Sequence, residues 1–304
     1  MERRYSHSSC LISVEALRKN VSMLRGCLNT GSQLGLVVKS EAYGHGLDLV
    51  VLATADLAEI FLVQTVDEAL RVRALAPEHR VIVVGPTPRA ALSDAAANRI
   101  ELTLPFAEDI SSLEGAARDA GRPLVVHLKA ETGTHRQGME HDALLAFTRA
   151  LAGSEGVVVQ GVSTHFADIE DTLDHGYALE QFSKLKRYHA DVQAASGREL
   201  EFHCANSAAT LLKPQTHGAF VRCGIASYGL WPSRETLLSV RDMRAGKRSF
   251  ELDPVMTWKA TVTQVKRVRS GSFISYGRTY RATADSEIAV LGLGYADGYD
   301  RLLS

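Results

Sequence analysis

The sequence predicts an α/β protein, built as a parallel (β/α)8 barrel of the TIM type that is followed by an antiparallel β domain. Short runs rich in β-branched residues alternate with segments of helical period, and these runs are apolar on both faces, as buried parallel strands are. Eight such runs precede residue 225, which suits a closed barrel better than the alternative, an open sheet. The stretch after residue 256 contains no good helical pattern, and its alternation indicates antiparallel strands.

The elements follow one another in βα order. The predicted barrel strands are "LGLVVK", "IFLVQT", "RVIVVG", "RIELTL", "PLVVHLK", "VVVQGVSTHF", "LEFHCAN" and "HGAFVRC". The predicted helices between or before them include "SVEALRKNVSMLRGCL", "TVDEALRVRALA", "FAEDISSLEGAARDAG", "HDALLAFTRALAG" and "YALEQFSKLKRYHADVQAAS". A linker is predicted around "GLWPSRETLLSVRDMRAGKRSF", residues 229–250.

These patterns divide the chain into a barrel domain of residues 1–234 and a C-terminal β domain of residues 235–304. The second domain has few strands for an independent core. We therefore expect it to be incomplete, and the chain to be a C-terminally shortened version of a longer one.

Composition excludes several classes of protein. The 34 basic and 35 acidic residues nearly cancel, so neither nucleic acid nor an anionic membrane surface is expected as a partner. No apolar run approaches the length of a membrane span, and the N-terminus lacks the apolar core of a secretory signal. The four cysteines show no zinc-ligand spacing, which favours reduced thiols in a cytoplasmic protein and predicts no metal site.

Chemistry in such barrels lies on the loops that follow the strands. One lysine, Lys39, ends an apolar strand, and burial in a largely apolar mouth would favour its neutral, nucleophilic amine. The hydroxyls of Tyr43 and Ser207, with the backbone N–H groups of Gly224 and Ile225, could hold a phosphate. A lysine able to form a Schiff base beside a phosphate site predicts pyridoxal 5′-phosphate (PLP) as the cofactor.

Seven stretches, in order along the chain, resemble motifs of the alanine racemase family. They are "VVKSEAYGHG", "KAETGTHRQG", "STHFAD", "HCANSAA", "VRCGIASYG", "SYGRTY" and "GYADGYDR". The resemblance implies a PLP-bearing barrel, a C-terminal β domain and a cytoplasmic homodimer whose active sites lie at the interface. It also implies interconversion of L- and D-alanine, a small amino-acid substrate, in the supply of D-alanine for peptidoglycan precursors.

The resemblance also implies a role for individual residues. Lys39 would bond covalently to PLP and serve as one catalytic base, and Tyr276 of the partner subunit would serve as the other. The residues implied in cofactor binding are Lys39, Tyr43, His165, Asn206, Ser207, Arg222, Gly224 and Ile225.

Further implied roles concern charge. Arg222 would face the pyridine nitrogen, and because a guanidinium essentially never loses a proton, the ring nitrogen would stay unprotonated. Arg136 would bind the substrate carboxylate, oriented by a carbamylated Lys129. Tyr295 and Arg301 would line the entrance corridor.

The sequence departs from the family at several positions. Ser40 and Glu41 replace the usual Ala-Asn, and Glu131 and Thr134-His135 replace the usual Asp and Met-Gly. Family members also continue past the last motif into strands that shape the substrate pocket.

Three other interpretations remain open at this point. One is a racemase for serine or a broader set of amino acids. Another is a non-catalytic PLP-binding protein, which the motif around Tyr276 disfavours and the missing C-terminal strands favour. A decarboxylase of the same barrel class would carry a carboxylate, not Arg222, at the pyridine nitrogen.

Overall fold

The computed structural model describes residues 6–245 and 250–303, and these form two compact units. The larger unit comprises the described part of Val14–Val255. The smaller unit combines the N-terminal strand Ser8–Ile12 with the chain from Met256 onward.

The larger unit is built around eight parallel strands. In chain order they are Gln33–Val37, Ile60–Val63, Arg80–Val83, Ile100–Leu104, Leu124–Lys129, Val157–Ser163, Glu201–His203 and Phe220–Cys223. Each of the first six strands pairs with the next one along the chain, and the eighth strand pairs with the first. The seventh and eighth are bridged by backbone hydrogen bonds from Ala219 N to Phe202 O, at 3.0 Å, and from Arg222 N to Ala205 O, at 2.8 Å. All eight predicted strands and the predicted barrel are thereby confirmed.

Helices alternate with these strands, as predicted. The right-handed α-helices of the described chain are Val14–Arg25, Leu47–Thr54, Val66–Leu75, Leu92–Ala97, Ile110–Ala120, His141–Ala152, Gly176–Ser196, Ser207–Leu212 and Arg234–Met243. Helix Val66–Leu75 begins where its sequence predicts, because Thr65 and Glu68 form a capping box that satisfies two otherwise unpaired N–H groups. The strands bury apolar side chains between the helices and the barrel interior; one such cluster contains Val37, Ile60, Leu62, Ile82 and Phe220.

The predicted linker contains a helix that the sequence analysis did not assign. Helix Arg234–Met243 begins at Ser233, whose hydroxyl accepts a hydrogen bond from Thr236 N at 2.9 Å. The chain beyond it is tied back to the first helix, since the amide of Asn20 exchanges hydrogen bonds with Asp253 N and Asp253 O. The barrel unit therefore continues to Val255, past residue 234. Residues 246–249 of the predicted linker lie outside the described residues.

The smaller unit is antiparallel, as its alternating pattern predicts. Its strand pairs are Ser8–Ile12 with Met256–Ala260, Val262–Val268 with Ser286–Leu291, and Phe273–Ile274 with Tyr280–Arg281. The contribution of the N-terminal strand was not predicted.

None of the helices in residues 6–245 and 250–303 has both the length and the hydropathy needed to cross a membrane.

Candidate active site

The first barrel strand leads into a left-handed turn that carries two of the predicted site residues. Ser40, Glu41, Ala42 and Tyr43 have φ angles of 53°, 52°, 52° and 56°, and Gly44 ends the turn. For side chains larger than glycine this conformation costs roughly 1–2 kcal/mol per residue. Such a run is kept only where surrounding contacts hold it, and residues in strained backbone cluster at functional sites.

The turn borders a cavity of about 620 Å³ in the barrel. All ten site residues predicted for the barrel line it: Lys39, Tyr43, Lys129, Arg136, His165, Asn206, Ser207, Arg222, Gly224 and Ile225. Topology explains this convergence, because the carboxyl ends of parallel strands meet at one end of a barrel.

Among the described residues, the hydrogen-bond acceptors of Arg222 are all neutral. Its guanidinium reaches His203 Nδ1 at 2.8 Å and His203 O at 2.9 Å, and it also binds the carbonyl oxygens of Thr164 and Cys204. Its contact with His165 Nδ1 is longer, at 3.4 Å. Burial lowers the pKa of Arg222 to about 10, so near neutral pH the group keeps its charge.

The two histidines beside Arg222 are uncharged. Burial, followed by the charge of Arg222, lowers the pKa of His165 to about 3 and takes the pKa of His203 well below its usual range. The positive charge of this group of side chains therefore lies on Arg222, because the low pKa of His165 keeps its imidazole neutral.

Two lysines in the cavity have depressed pKa values. Burial, followed by the charge of Arg136, lowers the pKa of Lys39. Burial, followed by the charges of Arg222 and Arg136, lowers the pKa of Lys129 to about 8. Both effects raise the fraction of neutral amine, the form that can attack a carbonyl carbon.

One wall of the cavity has the features of a phosphate site. The hydroxyl oxygen of Ser207 accepts hydrogen bonds from Gly224 N at 3.1 Å and Ala226 N at 3.4 Å. A Cβ atom added to Gly224 would lie 2.7 Å from the Tyr43 hydroxyl, so a larger residue there would displace that hydroxyl. Burial raises the pKa of Tyr43, and its phenol therefore remains a hydrogen-bond donor.

Both the oxygen and the nitrogen of the Asn206 side-chain amide form hydrogen bonds at this wall of the cavity. Its oxygen caps helix Ser207–Leu212 by accepting from Ala209 N at 2.9 Å. Its nitrogen donates to Glu170 Oε1 at 2.8 Å. The geometry therefore indicates that Asn206 orients Ser207 and Glu170.

Positive charge dominates the cavity. Lys39, Lys129, Arg136 and Arg222 line it, and Glu170 is the one carboxylate among the lining residues that the structure describes. Burial, followed by the charge of Asp171, raises the pKa of Glu170. Such a cavity favours a ligand that carries more than one negative charge.

Several residues that line the cavity were not predicted from the sequence: Gln64, Thr103, Ser163, Thr164, Glu170 and His203. Most lie at or just beyond a barrel strand, so a systematic inspection of every strand end would have found them. Glu170 lies in the loop after "STHFAD" and offers no comparable signal.

The remaining predicted site residues belong to the β unit. Tyr276 and Tyr295 are 97% and 76% exposed there. Arg301 is also exposed, and its guanidinium lies 5.9 Å from the centre of the Tyr295 ring. Within the described residues, no group of three or more His, Cys, Asp or Glu side chains is arranged to hold a metal ion.

Comparison with known proteins identifies the family of the chain. The family of alanine racemase N-terminal domains matches residues 12–232, and that of alanine racemase C-terminal domains matches residues 255–304. The alanine racemase of Desulfovibrio desulfuricans is 37% identical over 294 residues, which are 96% of this chain and 76% of that protein. The alanine racemase of Desulforamulus reducens is 36% identical, with 96% of this chain and 77% of that protein covered.

Solved structures give the same result. The alanine racemase of a D-cycloserine-producing Streptomyces lavendulae superimposes with a TM-score of 0.88 at 32% identity, over 97% of this chain and 76% of that one. That of Clostridium difficile 630 has a TM-score of 0.87 at 27% identity, over 99% and 76% of the two chains. The chain thus spans about three quarters of the length of these relatives. The matched domains, the identity and the shared fold together show that the chain belongs to the alanine racemase family.

Proposed function

We propose that the chain is a PLP-dependent alanine racemase that interconverts L- and D-alanine. The observation that carries the proposal is one cavity that joins a lysine of lowered pKa, a hydroxyl-lined wall at Gly224 and the fixed cation of Arg222. The activity of the relatives, named as alanine racemases, supports the choice of substrate.

The residues present fit PLP. Tyr43, Ser207 and the backbone at Gly224 and Ile225 would bind its phosphate, which is dianionic and suits the cationic cavity. Lys39 would hold the cofactor covalently through Nζ. Arg222 would donate a hydrogen bond to the pyridine nitrogen and keep it unprotonated, since near neutral pH a guanidinium whose pKa is about 10 retains its protons.

PLP, when bound, supplies an electron-withdrawing ring that stabilises negative charge on the substrate α-carbon. The protein must then move a proton at either face of that carbon. We propose that Lys39 Nζ holds the proton on one face and the hydroxyl of Tyr276 of the partner subunit holds it on the other. The neutral amine that burial and Arg136 favour at Lys39 is the form that can accept a proton.

The substrate carboxylate would be held by Arg136. The loop that carries this arginine is fixed by Glu131, whose carboxylate accepts hydrogen bonds from Gly133 N at 2.5 Å and Thr134 N at 2.7 Å. A carbamylated Lys129 would become an anion and orient the guanidinium. Tyr295 and Arg301 are proposed as residues of the entrance corridor.

The assembly and location are part of the proposal. Active sites shared between the subunits of a homodimer would explain why Tyr276, a catalytic residue in this scheme, is almost fully exposed in the single chain. The four cysteines are free, which supports a cytoplasmic location.

Borohydride reduction tests the cofactor assignment. After reduction, a pyridoxyl group should be found on the peptide that contains Lys39, and racemisation of L-alanine should be measurable before reduction. A Lys39→Ala protein should lose activity by orders of magnitude, because acid–base and covalent roles are each worth roughly a hundredfold or more.

The alternatives give different results. Faster racemisation of L-serine than of L-alanine would indicate the broader substrate range. Labelling of Lys39 without turnover of any amino acid would indicate a PLP-binding protein. A reducible cofactor on another lysine in the Lys39→Ala protein would overturn the assignment.

A further inference from the structure

The left-handed turn after the first strand is held from one face of helix Val66–Leu75. Glu68 and Arg71 lie three residues apart on this helix and therefore face the same side. Glu68 Oε1 accepts a hydrogen bond from Ser40 N at 2.6 Å, while its Oε2 accepts from Gln64 N at 2.8 Å. One carboxylate thus links the start of the turn to the start of the helix.

Arg71 holds the middle of the turn. Its Nη1 and Nη2 donate to the two carboxylate oxygens of Glu41, and its Nη2 also donates to Asp48 Oδ1 at 2.8 Å. Glu41 Oε2 also accepts a hydrogen bond at 3.2 Å from the backbone N–H of Leu47, which is the first residue of the next helix. These bonds lower the pKa of Glu41 and raise that of Arg71, so both groups stay charged near neutral pH.

Glu41 has no intrinsic reason to adopt its backbone conformation. It sits at φ 52° and ψ 44°, a region that glycine and asparagine visit readily and that glutamate avoids. Its neighbours Ser40 and Ala42 share the conformation, and neither is glycine or asparagine. The conformation must therefore be held by contacts outside the turn, and the bonds from Arg71 and to Leu47 are those that reach the Glu41 side chain.

The two ends of this turn are functional in the proposed racemase. Lys39 opens it and Tyr43 closes it, and both line the cavity. We infer that Arg71 is a positioning residue: through Glu41 it holds the left-handed turn and so places the amine of Lys39 and the hydroxyl of Tyr43. The inference rests on the proposed function for its catalytic consequence, whereas its structural part stands without it.

Loss of the ion pair between Arg71 and Glu41 should disturb the turn and the site more than it lowers the free energy of global unfolding. The side chains of Arg71 and Glu41 are 44% and 55% exposed, and exposed ion pairs contribute little to global stability. Loss of the pair should nevertheless loosen a strained turn, because among the described residues the Glu41 side chain then keeps only the longer hydrogen bond from Leu47 N, at 3.2 Å. The amides of this turn report its order, since Ala42 N, Gly44 N and Gly46 N donate to Val38 O, Ser40 O and Glu41 O.

Four variants test the inference: Arg71→Ala, Glu41→Asn, the double variant Glu41→Asn/Arg71→Ala, and Arg89→Ala as a matched control. Arg89 forms an exposed pair with Asp109 and is absent from the lining of the cavity, so its loss removes a similar interaction without touching the turn. Asparagine tolerates the left-handed region and needs no guanidinium to stay there.

Two measurements are made on each protein. Hydrogen exchange of the peptide 39–47 in PLP-free protein reports the turn itself, and titration with PLP reports the site. We expect Arg71→Ala to speed exchange in this peptide and to weaken PLP binding by about fivefold, as loss of roughly 1 kcal/mol implies. Arg89→Ala should change neither, and the double variant should recover the values of Glu41→Asn.

The outcomes separate the inference from the function it serves. If hydrogen exchange and PLP affinity are both unchanged in Arg71→Ala, the inference about Arg71 is wrong. It is also wrong if the double variant exchanges as fast and binds PLP as weakly as Arg71→Ala. If the wild-type protein binds no PLP, the proposed function fails, yet the exchange measurement still decides whether Arg71 holds the turn.

Discussion

Arg222 Nη1 lies 2.8 Å from Nδ1 of His203, and the direction of this hydrogen bond fixes the state of both groups. A guanidinium can only donate, so Nδ1 must accept and the ring proton must sit on Nε2. Burial and the adjacent charge hold the pKa of His203 well below its usual range. The positive charge at this point of the cavity is therefore fixed on Arg222 and is not shared with its neighbour as a mobile proton.

The first prediction concerns this fixed charge. Arg222→Glu should place a group beside the pyridine nitrogen that favours its protonated form, which makes the cofactor a stronger electron sink. Transamination should then increase relative to racemisation. The ratio of pyruvate to D-alanine formed from L-alanine measures the change.

Arg222→Gln is the control, because it removes the guanidinium without adding a carboxylate. Its ratio of products should rise less than that of Arg222→Glu. Equal partitioning in Arg222→Glu and the wild type would mean that Arg222 does not face the pyridine nitrogen.

The second prediction concerns Lys129. Burial and the charges of Arg222 and Arg136 lower the pKa of Lys129 to about 8, so its neutral amine becomes available as the pH rises through that value. Carbon dioxide reacts with the neutral amine to give an anionic carbamate, which the neighbouring guanidinium groups would stabilise. With isotopically labelled bicarbonate, a carbamate signal should appear in the carbon NMR spectrum and should grow as the pH is raised from 7 to 8.5.

Lys129→Ala should abolish that signal, and Lys39→Ala should leave it in place. Absence of any signal in the wild-type protein at pH 8.5 would show that Lys129 stays an amine, and would remove the proposed means of orienting Arg136.

The third prediction is a pH dependence of stability that arises at Glu101. Burial acts to raise the pKa of Glu101, but hydrogen bonds from Arg80 and His127 outweigh it and bring the pKa to about 2. A carboxylate whose pKa falls on folding stabilises the folded state above its unfolded pKa near 4.5, and this stabilisation is lost as the pH falls from 4.5 towards 2. The shift corresponds to a contribution on the order of 3 kcal/mol at neutral pH.

Urea unfolding at pH 7, 5 and 3 should therefore show Glu101→Gln strongly destabilised at pH 7 and closer to the wild type at pH 3. Glu287→Gln removes a carboxylate from an exposed pair with Arg267 and should have little effect at any of these pH values. If wild type and Glu101→Gln differ by a constant amount across this range, Glu101 does not titrate as the structure indicates.

The barrel could be predicted from sequence because its signals are local and repeated. Each apolar run, such as the one ending at Lys39, is bounded by polar residues and followed by a helical pattern. Once the order of strands is known, the meeting of their carboxyl ends follows from topology, and with it the gathering of Lys39, Arg222 and the other lining residues in one cavity.

What the sequence did not reveal depends on contacts between distant segments. The left-handed turn contradicts the local preferences of Ser40 and Glu41, and it is held by a helix some thirty residues further on. Strand Ser8–Ile12 pairs with strand Met256–Ala260, and the sequence of neither strand indicates this pairing. The neutral state of His165 depends on its burial and on the charges packed around it, which no single stretch of sequence contains.

The last prediction tests whether the two proposed bases come from different subunits. Lys39→Ala and Tyr276→Phe proteins should each be inactive, because each lacks one base at every site. When subunits of the two proteins exchange, a mixed dimer has one site that lacks both bases and one that is intact, if each site takes Lys39 from one chain and Tyr276 from the other. For equal and random mixing, activity should return to about a quarter of the wild-type level, because half of the dimers are mixed and each has one good site of two.

The result depends on exchange, so its extent must be measured alongside activity. Mixing differently tagged wild-type chains, followed by capture of one tag, gives the fraction of mixed dimers under the same conditions. Where mixed dimers form and no activity returns, both bases belong to one chain and the shared site is wrong. We expect activity to return because Tyr276 is 97% exposed in the single chain. A phenol that serves as a base must be enclosed by protein when it acts, and a second subunit would provide that enclosure.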